Sequence, residues 1–165
     1  MAGRAGKIVL LLATCAVAAG IAASTAAAAN VNVNPFPCQV FQGGATTVPA
    51  GSTITIRSGI SEQTLGIMKA YLNAQTTTIS INGATADVSN AWSDPVNQGP
   101  GLGWLSVVTY PTGITLAAGQ SLVVVWTTTL AHPVPEVFNP AAGGPAGQPA
   151  FNDAPVTFTC TVTAV

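Results

Sequence analysis

The sequence predicts an all-β protein, an antiparallel β-sandwich with one short helix. Three observations carry the prediction. From residue 30 onward the chain is rich in Thr, Val, Gly and Pro, and turn signals recur about every ten residues. Residues 156–164 alternate without a break, with Val156, Phe158, Cys160, Val162 and Ala164 on one face and four threonines on the other. A period of two, with one apolar and one hydroxyl face, is that of a half-buried antiparallel strand. Two cysteines, Cys38 and Cys160, stand near the two ends of this region.

The chain divides into residues 1–29, read as a secretory signal peptide, and residues 30–165, read as one secreted β-sandwich domain. Arg4 and Lys7 form a basic head, residues 8–29 carry no charge, and the stretch ends in an alanine run. This is the charged, apolar and small-residue order of a cleavable leader, with the cut expected before Asn30. The uncharged stretch is also long enough to span a bilayer, with its basic end in the cytoplasm. Its alanine-rich second half inserts weakly and offers Ala-x-Ala, which favours cleavage. Cys15 follows Thr14, where a lipoprotein signal has a smaller residue, so no lipid anchor is expected.

Cys38 and Cys160 form an even pair in an exported domain, and they read as a single disulfide. It would close a loop of about 120 residues, worth roughly 4–5 kcal/mol in the chain-entropy picture. The wide spacing argues against a redox pair, which needs two nearby thiols. Cys160 lies on the apolar face of its strand, so the bridge is expected in the core. Cys38 opens a short extended segment, 38–42, in which Cys38 and Val40 face the same way.

The remaining elements follow from local pattern. Residues 52–57 alternate, with Ile54 and Ile56 inward. Residues 61–74 break the rule: Leu65, Met68 and Leu72 stand at helical spacing, Ser61 is placed to cap, and Glu62 suits the positive first turn. Residues 77–88 read as a hairpin around Asn82-Gly83, the favoured two-residue type I′ turn. Its register sets Ile81 opposite Ala84, Ile79 opposite Ala86 and Thr77 opposite Val88, which keeps one face apolar. Residues 104–110 form a strand with Trp104, Ser106, Val108 and Tyr110 on one side. Residues 121–130 form another, apolar on both faces at its start and therefore central. Two long connections, 89–103 and 139–154, separate these strands.

The stretches 48–56 and 116–124 each read as a strand, an Ala-Gly turn and a returning strand. They resemble the strand–Ala/Pro-Gly–strand corners of secreted bacterial immunoglobulin-like domains. That resemblance implies an immunoglobulin-like arrangement of the sandwich and no particular activity.

Charge limits the partners. Charged residues make up 5% of the chain, and beyond residue 29 only Arg57 and Lys69 are basic, against Glu62, Asp87, Asp94, Glu136 and Asp153. So few cations cannot neutralise a phosphate backbone, so nucleic acid is not an expected partner. No polybasic patch exists to hold an anionic membrane, so no membrane contact is expected after leader removal.

Catalytic constellations are sparse. His132 is the single histidine, and His132, Val134 and Glu136 alternate with two prolines. In an extended chain His132 and Glu136 lie about 12–13 Å apart, too far to share one metal. The bland reading is a rigid connection with a solvated histidine; the functional one is a small secreted hydrolase or metal enzyme using His132. Phosphate-loop, zinc-protease and serine-hydrolase motifs are missing from the sequence. No pair among the five carboxylates is singled out for glycoside cleavage, and no cofactor or catalytic residue is assigned.

The aromatics offer a second hypothesis. Trp92 stands in a polar loop with Asp94, and Trp104 begins the next strand. An aromatic ring beside amides and carboxylates can stack on a sugar and bond its hydroxyls. Trp92, Asp94 and Trp104 are thus the candidate ligand-binding residues of a carbohydrate-binding module, although large aromatics more often pack inward. Trp126 shares a face with Leu122 and Val124 and is assigned to the core. The leading expectation is a non-catalytic exported protein that acts by surface contact in the cell envelope or medium. Its partner would be an envelope polysaccharide or a protein.

Overall fold

The computed structural model describes residues 29–134 and 155–165. Residues 1–28, and with them most of the expected leader, Glu136 and the connection 139–154 lie outside the described residues.

The elements in chain order are β1 (Asn30–Val33), α1 (Pro35–Phe41), β2 (Ala45–Val48), β3 (Ser52–Glu62), α2 (Leu65–Ala74) and β4 (Gln75–Ile81). They continue with β5 (Ala84–Asp87), β6 (Val96–Asn97), β7 (Trp104–Leu116), β8 (Ser121–Leu130) and β9 (Val156–Ala164). A four-stranded sheet of order β1-β3-β7-β6 packs on a five-stranded sheet of order β2-β9-β8-β4-β5. Ile54, Ile56 and Val108 from the first sheet meet Ile79, Leu122, Val124, Trp126 and Val162 from the second in one buried cluster. The alternation read in 52–57, 121–130 and 156–164 thus places the inward residues correctly, except that Val156, at the start of β9, is exposed. A satellite cluster of Tyr71, Ala74, Leu130 and Val134 lies under α2.

The hairpin has the expected register, Ile81 opposite Ala84 and Ile79 opposite Ala86. Asn82 and Gly83 take φ of 49° and 90°, the left-handed pair that a type I′ turn requires. Strand β8 is central, between β9 and β4.

The expectation of purely antiparallel sheets is corrected: both sheets are mixed. β1 runs parallel to β3, and β2 runs parallel to β9. A tight turn imposes antiparallel pairing only on strands it joins directly, and neither pair is so joined. The two Ala-Gly corners do not return a strand beside itself. Residues 49–51 carry the chain from β2 in one sheet to β3 in the other, and residues 117–120 carry it from β7 to β8. Gly51 N–H donates to the Leu116 carbonyl at 2.7 Å, and Gly119 N–H donates to the Ala164 carbonyl at 2.8 Å. The corners therefore tie the sheets together at one end.

There are two short helices where one was expected, and the segment around Cys38 is the unexpected one. Asn34 caps α1, its Oδ1 accepting from Phe36 N–H at 3.2 Å, and Pro35 occupies the first turn. A proline there loses no needed donor and brings a helical φ. The second helix starts later than expected, because β3 runs on to Glu62 and Thr64, not Ser61, caps it. Glu62 is accordingly a buried strand end rather than a first-turn acid.

Cys38 and Cys160 are bridged, with their Cα atoms 5.7 Å apart. Both are buried, Cys160 completely, so the bridge sits in the core and pins α1 to β9. A disulfide fits an oxidising compartment. Among the described residues no helix is long and apolar enough to cross a membrane.

Candidate contact surface

Because inward residues of the five-stranded sheet are apolar, period two sends its hydroxyl residues outward. The register aligns them into rows across strands. Thr47, Thr163 and Ser121 form one row, and Thr157, Thr127, Thr78 and Asp87 form another. Two cross-strand hydroxyl bonds knit the face, Ser121 with Thr163 at 2.8 Å and Thr127 with Thr157 at 3.2 Å. A hydroxyl has one proton and two acceptor sites, so these pairs keep acceptor capacity for an incoming ligand. Val123 and Val125 supply an apolar centre. The face thus offers hydrogen bonds and methyl groups, with Asp87 as the charge at its border.

Beneath that border lies a directional chain of hydrogen bonds. Thr77 gives its one proton to Gln75 Oε1 at 2.5 Å, so Thr128 donates to Thr77 at 3.1 Å. Thr128 in turn accepts from Trp126 Nε1 at 3.0 Å. Gln75 Nε2 donates to the Ser89 carbonyl at 2.9 Å. Ser89 donates to Asp87 Oδ1 through its hydroxyl and its backbone N–H. Those two bonds, the hydroxyl's first, hold the Asp87 carboxyl below its ordinary range.

This chain fixes the turn at Ser89–Ala91, and the turn delivers Trp92. Trp92 bridges to Val108 of β7, and its ring meets Trp126 and Tyr71 edge-on, with centroids at 6.0 and 6.4 Å. Its Nε1 is buried without a hydrogen-bond partner among the described residues. Ser93 then locks onto β7, its N–H donating to the Val107 carbonyl at 2.8 Å and its carbonyl accepting from Ser106 Oγ at 2.7 Å.

The other residues singled out in the sequence lie apart. Asp94 is exposed. Trp104 is half-buried at the start of β7, opposite Asn97 of β6 and Glu62 of β3. Trp92 aligns with Val108, four residues further along that strand, so the two tryptophans are separated by about 13 Å of strand. Between them in sequence, Gly103 packs so closely on β3 that a Cβ there would fall 2.3 Å from the Glu62 carbonyl oxygen. The φ of +76° there is likewise a glycine's. His132 is exposed, with Nδ1 3.2 Å from the Pro133 carbonyl oxygen. Among the described residues no three His, Cys, Asp or Glu side chains cluster as metal ligands.

The outward hydroxyl rows were legible one strand at a time, but their alignment was not, because register between distant strands is a tertiary property. No family model, curated protein or solved structure matches the chain.

Proposed function

We propose that this is an exported, non-catalytic protein, immunoglobulin-like in outline, that acts by surface contact in the cell envelope or medium. The observation that supports the reading best is the outer face of the five-stranded sheet. Its aligned hydroxyls and central valines form an extended surface suited to a neutral, hydroxyl-rich partner such as an envelope polysaccharide. A disulfide-pinned sandwich presents such a face rigidly, which lowers the ordering cost of binding.

Retention of the oxidised protein on insoluble polysaccharides and on the producer's cell envelopes tests this. Saturable retention is expected, reduced at least tenfold by the exposed substitutions Thr157→Lys and Thr47→Lys, with unfolding temperature preserved. Equal retention of the variants, or turnover of a substrate that depends on His132, would overturn the reading. Retention lost instead in Trp104→Ala would shift the contact to the exposed part of Trp104, as in the carbohydrate-binding alternative.

A further inference from the structure

The opposite sheet carries a second feature, at its β1 edge. β1 pairs with β3 only over Thr53–Ile56. The chain then turns at Asn34 into α1, and Pro35 and Pro37 cannot continue the ladder. Beyond Ile56, strand β3 has a described neighbour on its β7 side alone.

The orientation of the backbone there follows from parity. Thr53 N–H points to the β1 side, where it donates to the Ala29 carbonyl at 3.0 Å. The register shift between Thr53 and Thr55 puts its extra residues in β7, so β3 keeps its alternation and Gly59 and Ser61 aim N–H and C=O the same way. The β7 side agrees. Val107, the partner of Gly59, directs both its backbone groups away from β3, to Ser93. Gly59 and Ser61 are both exposed.

The lane has a shaped floor. Gly59 brings no side chain, and Asn32, Asn34, Arg57, Ser58, Gly59 and Val107 line a shallow depression there. Ile54 and Ile56 are buried, so Arg57 faces outward on the same side as the depression. Arg57 and Lys69 are the only Arg or Lys residues among the described residues, and none of the described carboxylates lines this site.

We propose that the Arg57–Ser61 edge is a docking site for an extended segment of a partner protein that carries an acidic side chain. The segment adds as a strand in the lane beyond β1, bonding to the backbone groups of Gly59 and Ser61, beside which no described strand lies on that side. A residue opposite Gly59 stands diagonal to Arg57, at the 7–8 Å or so that a long side chain spans. The absent side chain at Gly59 leaves that acid free to turn towards Arg57, with the Leu105 and Val107 side chains beyond the empty position. Arg57 makes the edge selective for it. This surface is separate from the five-stranded face, so either reading can fail without the other.

The probe is the capped pentapeptide Ac-Thr-Val-Asp-Val-Thr-NH2, with a control in which Lys replaces Asp. Amide shifts and hydrogen exchange are followed in the oxidised chain. In the free protein the Gly59 and Ser61 amides should exchange freely. The Asp peptide should produce saturable shifts confined to the β3 edge and slow both amides at least tenfold. The Lys peptide should bind at least tenfold more weakly, and Arg57→Glu should reverse the preference. Arg57→Gln, at an exposed position, should fold normally and abolish the discrimination.

Four results would overturn the proposal. One is no saturable shift at millimolar peptide. Another is protection of Gly59 and Ser61 before peptide is added, which means that the lane is already filled. A third is tighter peptide binding by Arg57→Gln, which makes Arg57 a guard against edge pairing. The last is shifts that follow protein concentration alone, which makes a second copy of the chain the occupant.

Discussion

Asp87 is exposed, yet its carboxylate is committed to the hydroxyl and backbone N–H of Ser89. Its folded pKa therefore lies below the ordinary 3.8. The stabilisation is present above the unfolded value and disappears as the pH falls through the lower folded value. Thermal unfolding of the protein and of Asp87→Asn over a pH series should show the variant less stable at neutral pH. The two curves should converge below the ordinary value, and a gap that stays constant with pH would contradict the charge-assisted bonds. Trp92 is likewise fixed by its immediate neighbours. Its ring is wedged against Tyr71 and Trp126, and the Ser89 turn that delivers it is held by the buried chain through Thr77 and Gln75. Its indole is placed by packing, while its N–H, without a partner among the described residues, is a cost that the contacts offset.

Among the elements, α1 decides the most for its length. It carries the chain from the edge of one sheet to the edge of the other, ends β1 early, and holds Cys38 against β9. Gln39 Oε1 accepts from Thr159 N–H, so the helix also caps part of the β9 edge. Phe36 packs edge-on against Phe158, with centroids 5.2 Å apart. So short a helix has no independent stability, and its cap and tertiary contacts must supply it. Asn34→Ala should cost about 1 kcal/mol in urea unfolding, with Asn34→Asp close to neutral. An equal cost for both would place the role of Asn34 outside capping. The Asn-Pro start was a readable helix signal, but the alternation of Cys38 and Val40 competed with it. In seven residues periodicity does not separate helix from strand.

For the whole molecule, the bridge between residues 122 apart in sequence closes nearly the entire described domain. In the chain-entropy picture, reduction should lower stability by roughly 4–5 kcal/mol in urea unfolding. A loss below about 1 kcal/mol would mean that the two parallel pairings alone hold the chain ends. Those pairings join the first strands to the third and the last, so most stabilising contacts are distant in sequence, and folding should be slow for the size of the chain.

Which face of each long strand is buried, the register of the Asn82-Gly83 hairpin, the cysteine pair and the thinness of charge could all be read from the residues alone. These are local properties: side-chain alternation follows from backbone geometry, and a two-residue turn sets its own register. The parallel pairing of β1 and β2, the sheet to which each strand belongs, the rows of outward hydroxyls and the lane beside Gly59 that no described strand fills emerge only from packing. Any half-buried strand presents a similar apolar face, so alternation does not name its partner. That choice is made when both sheets close on one core and the bridge draws α1 onto β9.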